Sequence, residues 1–560
     1  MNKHIATIVV TRALHQLIVL LCFSLLMMAK PAMSQESQEL KLGHRCESIS
    51  PVFASTGECY RLLNDIFEGL IRVGKYGEPE PGAAKRWHIN ALDKTIVFYL
   101  NPSKRWSDGS PVVANDFALA WQSVLKTSKN QNALYFALMN LAGAKEYSEG
   151  SSKVLKGIQV IDPYTLRLEF DTFDPLFYQR TLNAALFPVP SHFVKKHGDH
   201  WSNRTDIPFN GQYKPILNTF YHSSGHNHLD LKEIHLVKNT AHPESSQLKI
   251  PKIHYVYVSE KDEPQKDALR YYTDPKTALH ISYVSAGNTK LISNFLESKN
   301  CSLIEQPSTA VYLLSINRDR VEPKLVEAIK NIVEPEEVFS RASRRVQGSP
   351  TRRLVQLPNL KAYSDLPLKN TNYELNKSQR HDKARKLLQE IDINPLSPKT
   401  LTLLVTSDNK SSHLARVLTP ILIPFGIKLK LEQPTSSASF DKMRVSENYD
   451  LSIFQWFVAL PDPSGFFISM SQLPRIFQAE DKRHFDTLMR EANNSKGTKR
   501  FEKFRDAEEF YLSKSSAIPI IRPSLKLMAH NDVCGLTPAQ SLIFPSAWLS
   551  WCPKQSEIPN

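Results

Sequence analysis

The sequence contains none of the short motifs that identify the commonest enzyme chemistries. It has no G-x-x-x-x-G-K-[ST] phosphate loop, no G-x-G-x-x-G dinucleotide fingerprint, no H-E-x-x-H zinc helix and no G-x-S-x-G nucleophile elbow. It also has no Cys-x-x-Cys pair, which argues against a zinc ribbon or a thioredoxin-type site. In a chain of 560 residues these absences favour a protein that is not an enzyme, and we expect no cofactor.

Long apolar runs are missing after the N-terminus, where nothing reaches the roughly 18 residues that a membrane-spanning helix needs. At the N-terminus, Lys3 and Arg12 precede an apolar stretch at residues 17–29, and a small-residue site ending at Ser34 follows. This order predicts a secretory signal peptide, residues 1–34, and hence a periplasmic protein. The alternatives are an uncleaved membrane anchor and a lipoprotein that carries its lipid on Cys22.

Cysteine is scarce as well, with six in the chain, one of them inside the predicted signal peptide. An exported chain meets an oxidising compartment, so disulfides are chemically allowed. Pairing Cys46 with Cys59 and Cys534 with Cys552 closes two short loops, and Cys301 then belongs to neither pair. The sequence alone leaves this connectivity open.

The charge is unbalanced, with 70 Lys and Arg against 56 Asp and Glu and a formal net charge of +14. Such a charge can steer an acidic ligand or favour an anionic membrane surface. The basic residues are spread along the chain, and export removes the protein from nucleic acid. We therefore expect no nucleic-acid partner.

The rest of the chain alternates β-rich runs with amphipathic helical stretches, which predicts an α/β protein. Residues 95–100 are strand-like by residue type, and residues 166–170 alternate apolar and polar side chains as a half-buried strand does. Asp116 is the expected N-cap of a helix over residues 117–125.

A β-α-β unit is predicted in the second half of the chain. A strand at 401–405, a helix around 413–422 and a strand at 427–431 follow one another, and residues 451–454 form a further buried strand.

Other features concern the boundaries of elements and domains. A helix over residues 381–390 is expected to stop before Pro395, and the polar stretch 347–373 is expected to be a long loop. There is no internal repeat and no Gly/Ser-rich linker, so we expect domains that are wound together by several chain crossings.

Several motifs occur in a fixed order along the chain. IFEGLIR lies at residues 66–72 and PEPGAAKRW at 79–87, and the more specific W-S-D-G-x-P-x-x-A-x-D-F occupies residues 106–117. Asn-Gly-Gln-Tyr follows at 210–213, and Trp456 precedes an Asp-Pro pair late in the chain. Over most of its length the chain thus resembles the extracellular solute-binding proteins of oligopeptide and dipeptide ABC importers.

The resemblance implies a two-lobed, periplasmic-binding-protein-like α/β fold with three domains, in which mixed sheets are flanked by helices. We expect residues 35–66, 189–285 and 531–560 to form a discontinuous domain I, residues 67–188 domain II, and residues 286–530 domain III, the second lobe. The ligand is then enclosed when the lobes close on a hinge.

The resemblance also implies a peptide or peptide-like ligand, whose extended backbone pairs with protein strands. The membrane permease of an ABC importer is the implied partner, and we expect a monomer. The residues that we expect to contact the ligand are Gln455, Trp456, Phe457, Asp462, Lys410 and Tyr135.

The chain departs from the family pattern at positions where relatives contact the two ends of the ligand. The family's acidic group for the peptide amino terminus lies three residues after the tryptophan, where this chain has Ala459, and an Arg of some relatives is Ile453 here. Asp462 is the nearest acid, and Lys410 is near a position that meets the acidic end of the ligand in some relatives. The ligand alternatives are therefore a blocked or modified peptide, a cell-wall fragment or haem.

Two clusters suggest other functions. His222, His226 and His228 are spaced closely enough to hold a metal ion, which would suit an exported metal-dependent hydrolase. We interpret them as exposed residues of a hairpin tip and predict no metal ligands.

A second cluster is a basic segment, which we interpret as a solvated surface. There are two alternatives to a solvated surface. The arginines could contact the ligand, or they could form the binding surface of a chaperone or host-contact protein. The segment contains Arg341, Arg344, Arg345, Arg352 and Arg353.

Overall fold

The computed structural model describes most of the chain after the predicted signal peptide. The described residues are 39–44, 46, 48–51, 57–74, 78–127, 138–174, 176–216, 221–222, 229–230, 232–257, 279–284, 301–357, 360–368, 375–406, 408–435, 437–446, 448–457, 462–470, 477, 479–536 and 545–553. Among them, none of the helices combines the length and the apolar character that a membrane span requires. The signal peptide lies outside them and stays a prediction.

The first lobe contains the N-terminal half of the chain. Its strands are β1 (Glu39–His44), β2 (Ile71–Val73), β3 (Pro79–Pro81), β4 (Ala84–Asn90), β5 (Thr95–Leu100), β6 (Ile158–Asp162), β7 (Thr165–Glu169), β8 (Tyr213–Pro215), β9 (Tyr221–His222), β10 (Leu229–Asp230), β11 (Glu233–Lys238), β12 (Lys252–Tyr257), β13 (Ile281–Val284) and β14 (Cys301–Pro307). Its helices are α1 (Gly57–Ile66), α2 (Ala114–Thr127), α3 (Ala144–Ser148), α4 (Phe177–Arg180) and α5 (Ser191–His197).

The second lobe follows, and the chain then returns to the first lobe. The strands are β15 (Ala310–Ile316), β16 (Gly348–Pro350), β17 (Lys399–Val405), β18 (Ile427–Glu432), β19 (Leu451–Phe457), β20 (Ala517–His530), β21 (Val533–Cys534) and β22 (Ser550–Trp551). The helices are α6 (Pro323–Ile332), α7 (Pro335–Ala342), α8 (Lys361–Ser364), α9 (Lys377–Gln389), α10 (Asn409–Leu422), α11 (Ser437–Ser446), α12 (Pro463–Met470), α13 (Ala479–Asn494) and α14 (Gly497–Lys514).

One long sheet runs through both lobes. Its strand order is β18-β17-β19-β15-β20-β13-β1-β12-β11-β8, and β14 and β16 also pair with β20. β20 is the strand that the lobes share, because residues 517–523 pair with β15 and β16 while residues 524–530 pair with β13 and β14. A separate antiparallel sheet of the first lobe has the order β4-β5-β7-β6.

Three hydrophobic clusters form the core. One contains buried residues from both sheets of the first lobe, such as Leu42 and Phe98, so the predicted domains I and II share a continuous core. The other two lie on opposite faces of the sheet in the second lobe, where Leu403 belongs to one and Leu404 to the other. Helices therefore cover both faces of this part of the sheet, as an α/β fold requires. The exact domain boundaries stay a prediction.

The strands predicted from periodicity are present. β5 has the predicted bounds, and β7 alternates fully buried leucines with half-buried residues. β17, α10 and β18 form the predicted β-α-β unit, in which Leu401 is opposite Leu429 in a parallel pair. The predicted strand at 451–454 is β19, which continues to Phe457.

The predicted N-cap at Asp116 was wrong, because α2 begins two residues earlier, at Ala114. The Asp116 carboxylate points back and accepts hydrogen bonds from the N–H of Val113 at 2.9 Å and from the indole N–H of Trp106 at 3.0 Å. It also accepts one from the N–H of Ser191. The W-S-D-G motif is thus a structural turn that this carboxylate ties to α2 and α5.

The helix predicted at residues 381–390 is α9, and it ends before Pro395 for a reason other than the proline. α9 begins after a capping box between Asn376 and Gln379 and ends at Gln389. The chain leaves the helical region at Asp392, whose φ is 55°. The positive φ of Asp392 therefore redirects the backbone three residues before the proline.

The predicted long loop at 347–373 contains β16 and α8, so this prediction was wrong in part. The segment has little periodicity of its own, and tertiary contacts hold residues 347–357 and 360–368, the part that the structure describes. The fully buried Glu508 accepts hydrogen bonds from the Arg353 guanidinium, the Val355 N–H and the Tyr363 hydroxyl. A single carboxylate of α14 therefore holds three points of the segment.

Both predicted disulfides are present, between Cys46 and Cys59 and between Cys534 and Cys552. Cys301 is buried and takes part in neither of them. The second disulfide joins Cys534 of β21 to Cys552, the residue after β22, and so cross-links the C-terminal β21–β22 pair.

Candidate ligand-binding site

The strand order of the second lobe changes direction beside β17. The chain passes from β17 through α10 to β18 on one side, and then crosses to β19 on the other side of β17. α10 packs in one hydrophobic cluster and α12, which follows β19, packs in the other. The two connections thus leave on opposite faces, and in an open α/β sheet such a switch point forms a crevice outside the carboxyl ends of the two strands, here β17 and β19. Open α/β sheets bind ligands at such switch points.

β19 extends beyond its neighbour at this crevice. Its pairing with β17 ends where Val405 meets Ile453, whereas its pairing with β15 continues to Phe457. Within the described part of the chain, residues 454–457 therefore have no strand on one side. An exposed strand edge can pair with an extended chain.

The alternation of backbone groups shows which residues of β19 face this edge. The N–H of Ile316, the last residue of β15, donates to the carbonyl of Ser516, which precedes β20. The N–H of the next residue, Asn317, donates to the carbonyl of Asp450, which precedes β19. Successive residues of a strand direct their backbone N–H and C=O groups to opposite edges. Continued along β15 and β19, this alternation directs the backbone groups of Trp456 toward β15. The backbone groups of Gln455 and Phe457 then face the open edge of β19. The Gln455 side chain is exposed.

Trp456 lies at the crevice on the face of the third cluster, with Phe454 in an edge-to-face contact at 6.2 Å between ring centroids. The side chain is half-buried. Its indole nitrogen is buried and has no hydrogen-bond acceptor among the described residues. A buried donor of this kind is normally satisfied, so the indole N–H is available to a ligand.

The start of α10 lies at the carboxyl end of β17. Asp408 caps the helix by accepting hydrogen bonds from the N–H groups of Lys410 and Ser411, both at 2.8 Å. The Lys410 side chain is exposed. The positive end of the helix dipole and the Lys410 ammonium therefore favour an anionic group at this end of the crevice.

Asp462, at the start of α12, is paired within the protein. Its two oxygens accept hydrogen bonds from the Arg500 guanidinium at 2.8 and 2.9 Å, and one oxygen also accepts from the Ser464 N–H. Only 8% of the residue is exposed. A ligand ammonium at Asp462 would have to compete with this two-point ion pair.

Arg522 is a candidate that sequence reasoning missed. It follows Ile521 in β20, and Ile521 is opposite Tyr312, so pleat alternation places Arg522 on the face of Trp456, about 10 Å away across β15. Burial lowers its pKa, and none of the ion pairs among the described residues includes it. No sequence signal could have found it, because its position depends on how β20 crosses between the lobes.

Two of the predicted site residues fall wholly or partly outside the described part of the chain, namely Tyr135 and the side chain of Phe457. Ala459, which stands at the acidic position of relatives, also lies outside it. Their roles stay predictions.

The two alternative clusters behave differently. The backbone of His222 lies in the β9–β10 hairpin, and His226 and His228 lie outside the described residues. The basic segment is dispersed, because Arg352 pairs with Glu334 and Glu336, and Arg353 pairs with Glu508.

Sequence comparison finds similar proteins over most of the chain. The model of a family described as bacterial extracellular solute-binding proteins, family 5 Middle, matches residues 78–476. The dipeptide-binding protein DppE of Bacillus subtilis is 23% identical over 484 residues, which is 84% of each chain. The periplasmic oligopeptide-binding protein OppA of Salmonella typhimurium is 25% identical over 495 residues, or 85% of each chain.

Solved structures share the fold. The murein tripeptide binding protein MppA of Escherichia coli has a TM-score of 0.74 at 19% identity, covering 92% of this chain and 99% of its own. The Haemophilus influenzae OppA complex with RPPGFSPFR has a TM-score of 0.72 at 18% identity, again covering 92% and 99%. The predicted two-lobed α/β fold is thereby confirmed.

Proposed function

Because the chain belongs to family 5 of the bacterial extracellular solute-binding proteins, we propose that it captures a peptide or peptide-like ligand in the crevice beside β19. It then delivers the ligand to an ABC importer. The proposal includes a periplasmic location, a monomer, a membrane permease as partner, and no chemical change to the ligand.

The observation that carries the proposal is the open edge of β19 at a topological switch point. The outward backbone groups of Gln455 and Phe457 would pair with an extended ligand, while the indole of Trp456 lies beside it. Main-chain hydrogen bonds recognise any sequence, so this mode predicts loose side-chain specificity.

The charges around the crevice suggest how the ends of the ligand are held. Arg522, Lys410 and the N-terminus of α10 favour a carboxylate. The Asp462 carboxylate is engaged by Arg500, and Ala459 stands at the acidic position of relatives. The ligand therefore needs no free amino terminus, which favours a blocked or modified peptide. A cell-wall peptide belongs to this class, and a similar protein is named for murein peptide binding.

Titration calorimetry with three forms of one peptide tests the proposal. The first form has a free amino terminus and the second an acetylated one. The third has N-methyl groups on alternate backbone amides and is made in two registers, with either the odd-numbered or the even-numbered amides methylated. We expect the acetylated form to bind at least as tightly as the free form and one N-methylated register to bind at least about tenfold more weakly, because strand pairing needs the amide N–H. Failure of peptide pools and murein peptides to bind at all would contradict the proposal.

The role of Arg522 needs a matched pair of variants. Arg522→Gln should weaken binding of a peptide with a free carboxyl terminus by about tenfold or more, and should hardly affect its amidated form. Arg344→Gln, at an exposed arginine in the turn that follows α7, should leave both affinities unchanged. Equal losses for the free and the amidated peptide would remove Arg522 as the carboxylate contact.

A further inference from the structure

A second cluster of ligand-type side chains lies in the first lobe, on the opposite part of the long sheet from the crevice. It spans the adjacent strands β1, β12 and β11. Lys41 is opposite His254, and His254 is opposite His235. Glu39 is two residues before Lys41 and therefore points to the same face. The other face of these strands carries Leu40, Ile253 and Ile234 into the core.

The donor atoms converge. The Nδ1 atom of His235 lies 3.0 Å from one oxygen of Glu39, and the Nδ1 atom of His254 lies 3.9 Å from the other. The two imidazole rings stack with 3.9 Å between their centroids. One donor atom from each of the three residues lies within 4.8 Å of the others. The trio is half-buried, so it is shielded yet reachable by a small ion.

The second ring nitrogen of His254 also has a carboxylate close by. The Nε2 atom of His254 is buried without a hydrogen-bond partner among the described residues, and an oxygen of Glu233 lies 3.7 Å from it. A carboxylate in this position can accept the N–H of an imidazole that binds a metal through its other nitrogen, and so orient the ring.

The donor set selects a chemical class of ion. Two imidazoles and a carboxylate are typical ligands of zinc, whereas magnesium and calcium prefer oxygen ligands throughout. Ligand atoms around a tetrahedral zinc ion lie about 3.3 Å apart, given bond lengths of about 2.0–2.1 Å. The separations of 3.0 and 3.9 Å from the two histidines to the two Glu39 oxygens lie on either side of that value, the larger by about 0.6 Å, so small side-chain movements are needed to bind the ion.

We propose that Glu39, His235 and His254 form a binding site for a divalent transition-metal ion of the zinc type, on the exposed face of the first-lobe sheet. The bound ion joins β1 to β12 and β11, and it therefore stabilises the first lobe. The site is separate from the peptide crevice, so metal binding and peptide binding are independent functions of different lobes.

Titration of the untagged mature protein with zinc sulfate tests the site. We expect saturable binding of one zinc ion to this site and a rise in the melting temperature, with no comparable effect of magnesium or calcium chloride. His235→Asn, His254→Asn and Glu39→Gln should each weaken zinc binding by about tenfold or more and remove the rise. His192→Asn is the matched control, because this exposed histidine pairs with Asp108 in the same lobe.

Without zinc, the three variants should have melting temperatures within a few degrees of that of the metal-free wild type. Glu39→Gln is the most conservative of them, because its amide keeps an oxygen toward His235, so a loss of zinc binding in this variant would not result from unfolding. Three results would overturn the site. These are no saturable zinc binding, undiminished binding in all three variants, or binding that disappears only when His222, His226 and His228 are replaced. The zinc titration uses no peptide, so a failure of peptide binding would contradict the proposed function and leave the result for the metal site unaffected.

Discussion

Two buried carboxylates of the first lobe, Glu68 and Asp65, contact residues that are distant in the sequence. Burial raises the pKa of a carboxyl group and a cationic partner lowers it, and the balance differs between the two. Burial acts to raise the pKa of Glu68, but Lys104 at 2.7 Å and His242 outweigh it and lower the pKa to about 2. Asp65 has the opposite outcome, because burial outweighs the hydrogen bonds from Ser546 and Tyr255 and raises its pKa to about 6.

The raised pKa of Asp65 predicts a pH-dependent contribution to stability. Between pH 3.8 and about 6 the folded state binds more protons at Asp65 than the unfolded state, so this contribution falls as the pH rises. The free energy of unfolding of Asp65→Asn, relative to the wild type, should therefore increase by roughly 2–3 kcal/mol from pH 4 to pH 7. Urea denaturation at both pH values measures it.

Asp365→Asn is the control for that measurement, since the side chain is exposed. Its difference from the wild type should not change with pH. A difference for Asp65→Asn that is equally constant would contradict the raised pKa.

Glu508 carries a second stability prediction. Glu508→Gln removes the buried charge that pairs with Arg353 and weakens the bonds to Val355 and Tyr363. We expect the free energy of unfolding to fall by about 3–5 kcal/mol, as measured by chemical denaturation. The exposed Glu502→Gln on the same helix should change it by less than about 0.5 kcal/mol. Similar small effects for both variants would show that the 347–373 segment is held by other contacts.

At the scale of elements, the sequence was informative where one local pattern decides the structure. The alternation at 166–170 and the strand–helix–strand order at 401–431 predicted β7 and the β17-α10-β18 unit. The segment 347–373 has no such period, and contacts to β20 and α14, at residues 348–350 and at Arg353, hold its described part in place.

The candidate site could be predicted only in part for the same reason. Trp456 and its neighbours are in a recognisable motif, and they do lie at the open edge of β19. Arg500 is 38 residues from Asp462, and Arg522 reaches the same face only through the pairing of β20 with β15. Such contacts between distant segments leave no local pattern in the sequence.

The open edge of β19 makes a prediction about backbone rather than side chains. Gln455→Pro removes one outward N–H, and proline is tolerated on edge strands. Peptide affinity should fall by at least about tenfold by calorimetry, with little change in melting temperature. Gln455→Ala keeps the N–H and should bind normally. A large loss in the alanine variant would indicate that the exposed side chain, rather than the strand edge, holds the ligand.

At the scale of the whole molecule, β20 is the structural link between the lobes. Its first half belongs to the sheet of the second lobe and its second half to that of the first. A rotation about this region would change the separation of the lobes without breaking either core. Ligand enclosure by hinge closure is the motion that this construction suits.

Closure predicts a change of size in solution. Small-angle X-ray scattering should show a smaller radius of gyration when a saturating peptide is added, because the lobes approach each other. Gln455→Pro, at the same peptide concentration, should show less of this change. An identical radius for the free and the saturated wild type would argue against closure.

Native mass spectrometry of the protein released gently from the periplasm of its producing cells tests the central claim most directly. We predict a fraction of the protein with an added mass that tandem fragmentation identifies as a peptide or a peptide containing cell-wall residues, and a smaller such fraction for Gln455→Pro. Protein that carries no such mass, and that acquires none when incubated with peptide pools and murein peptides, would contradict the account.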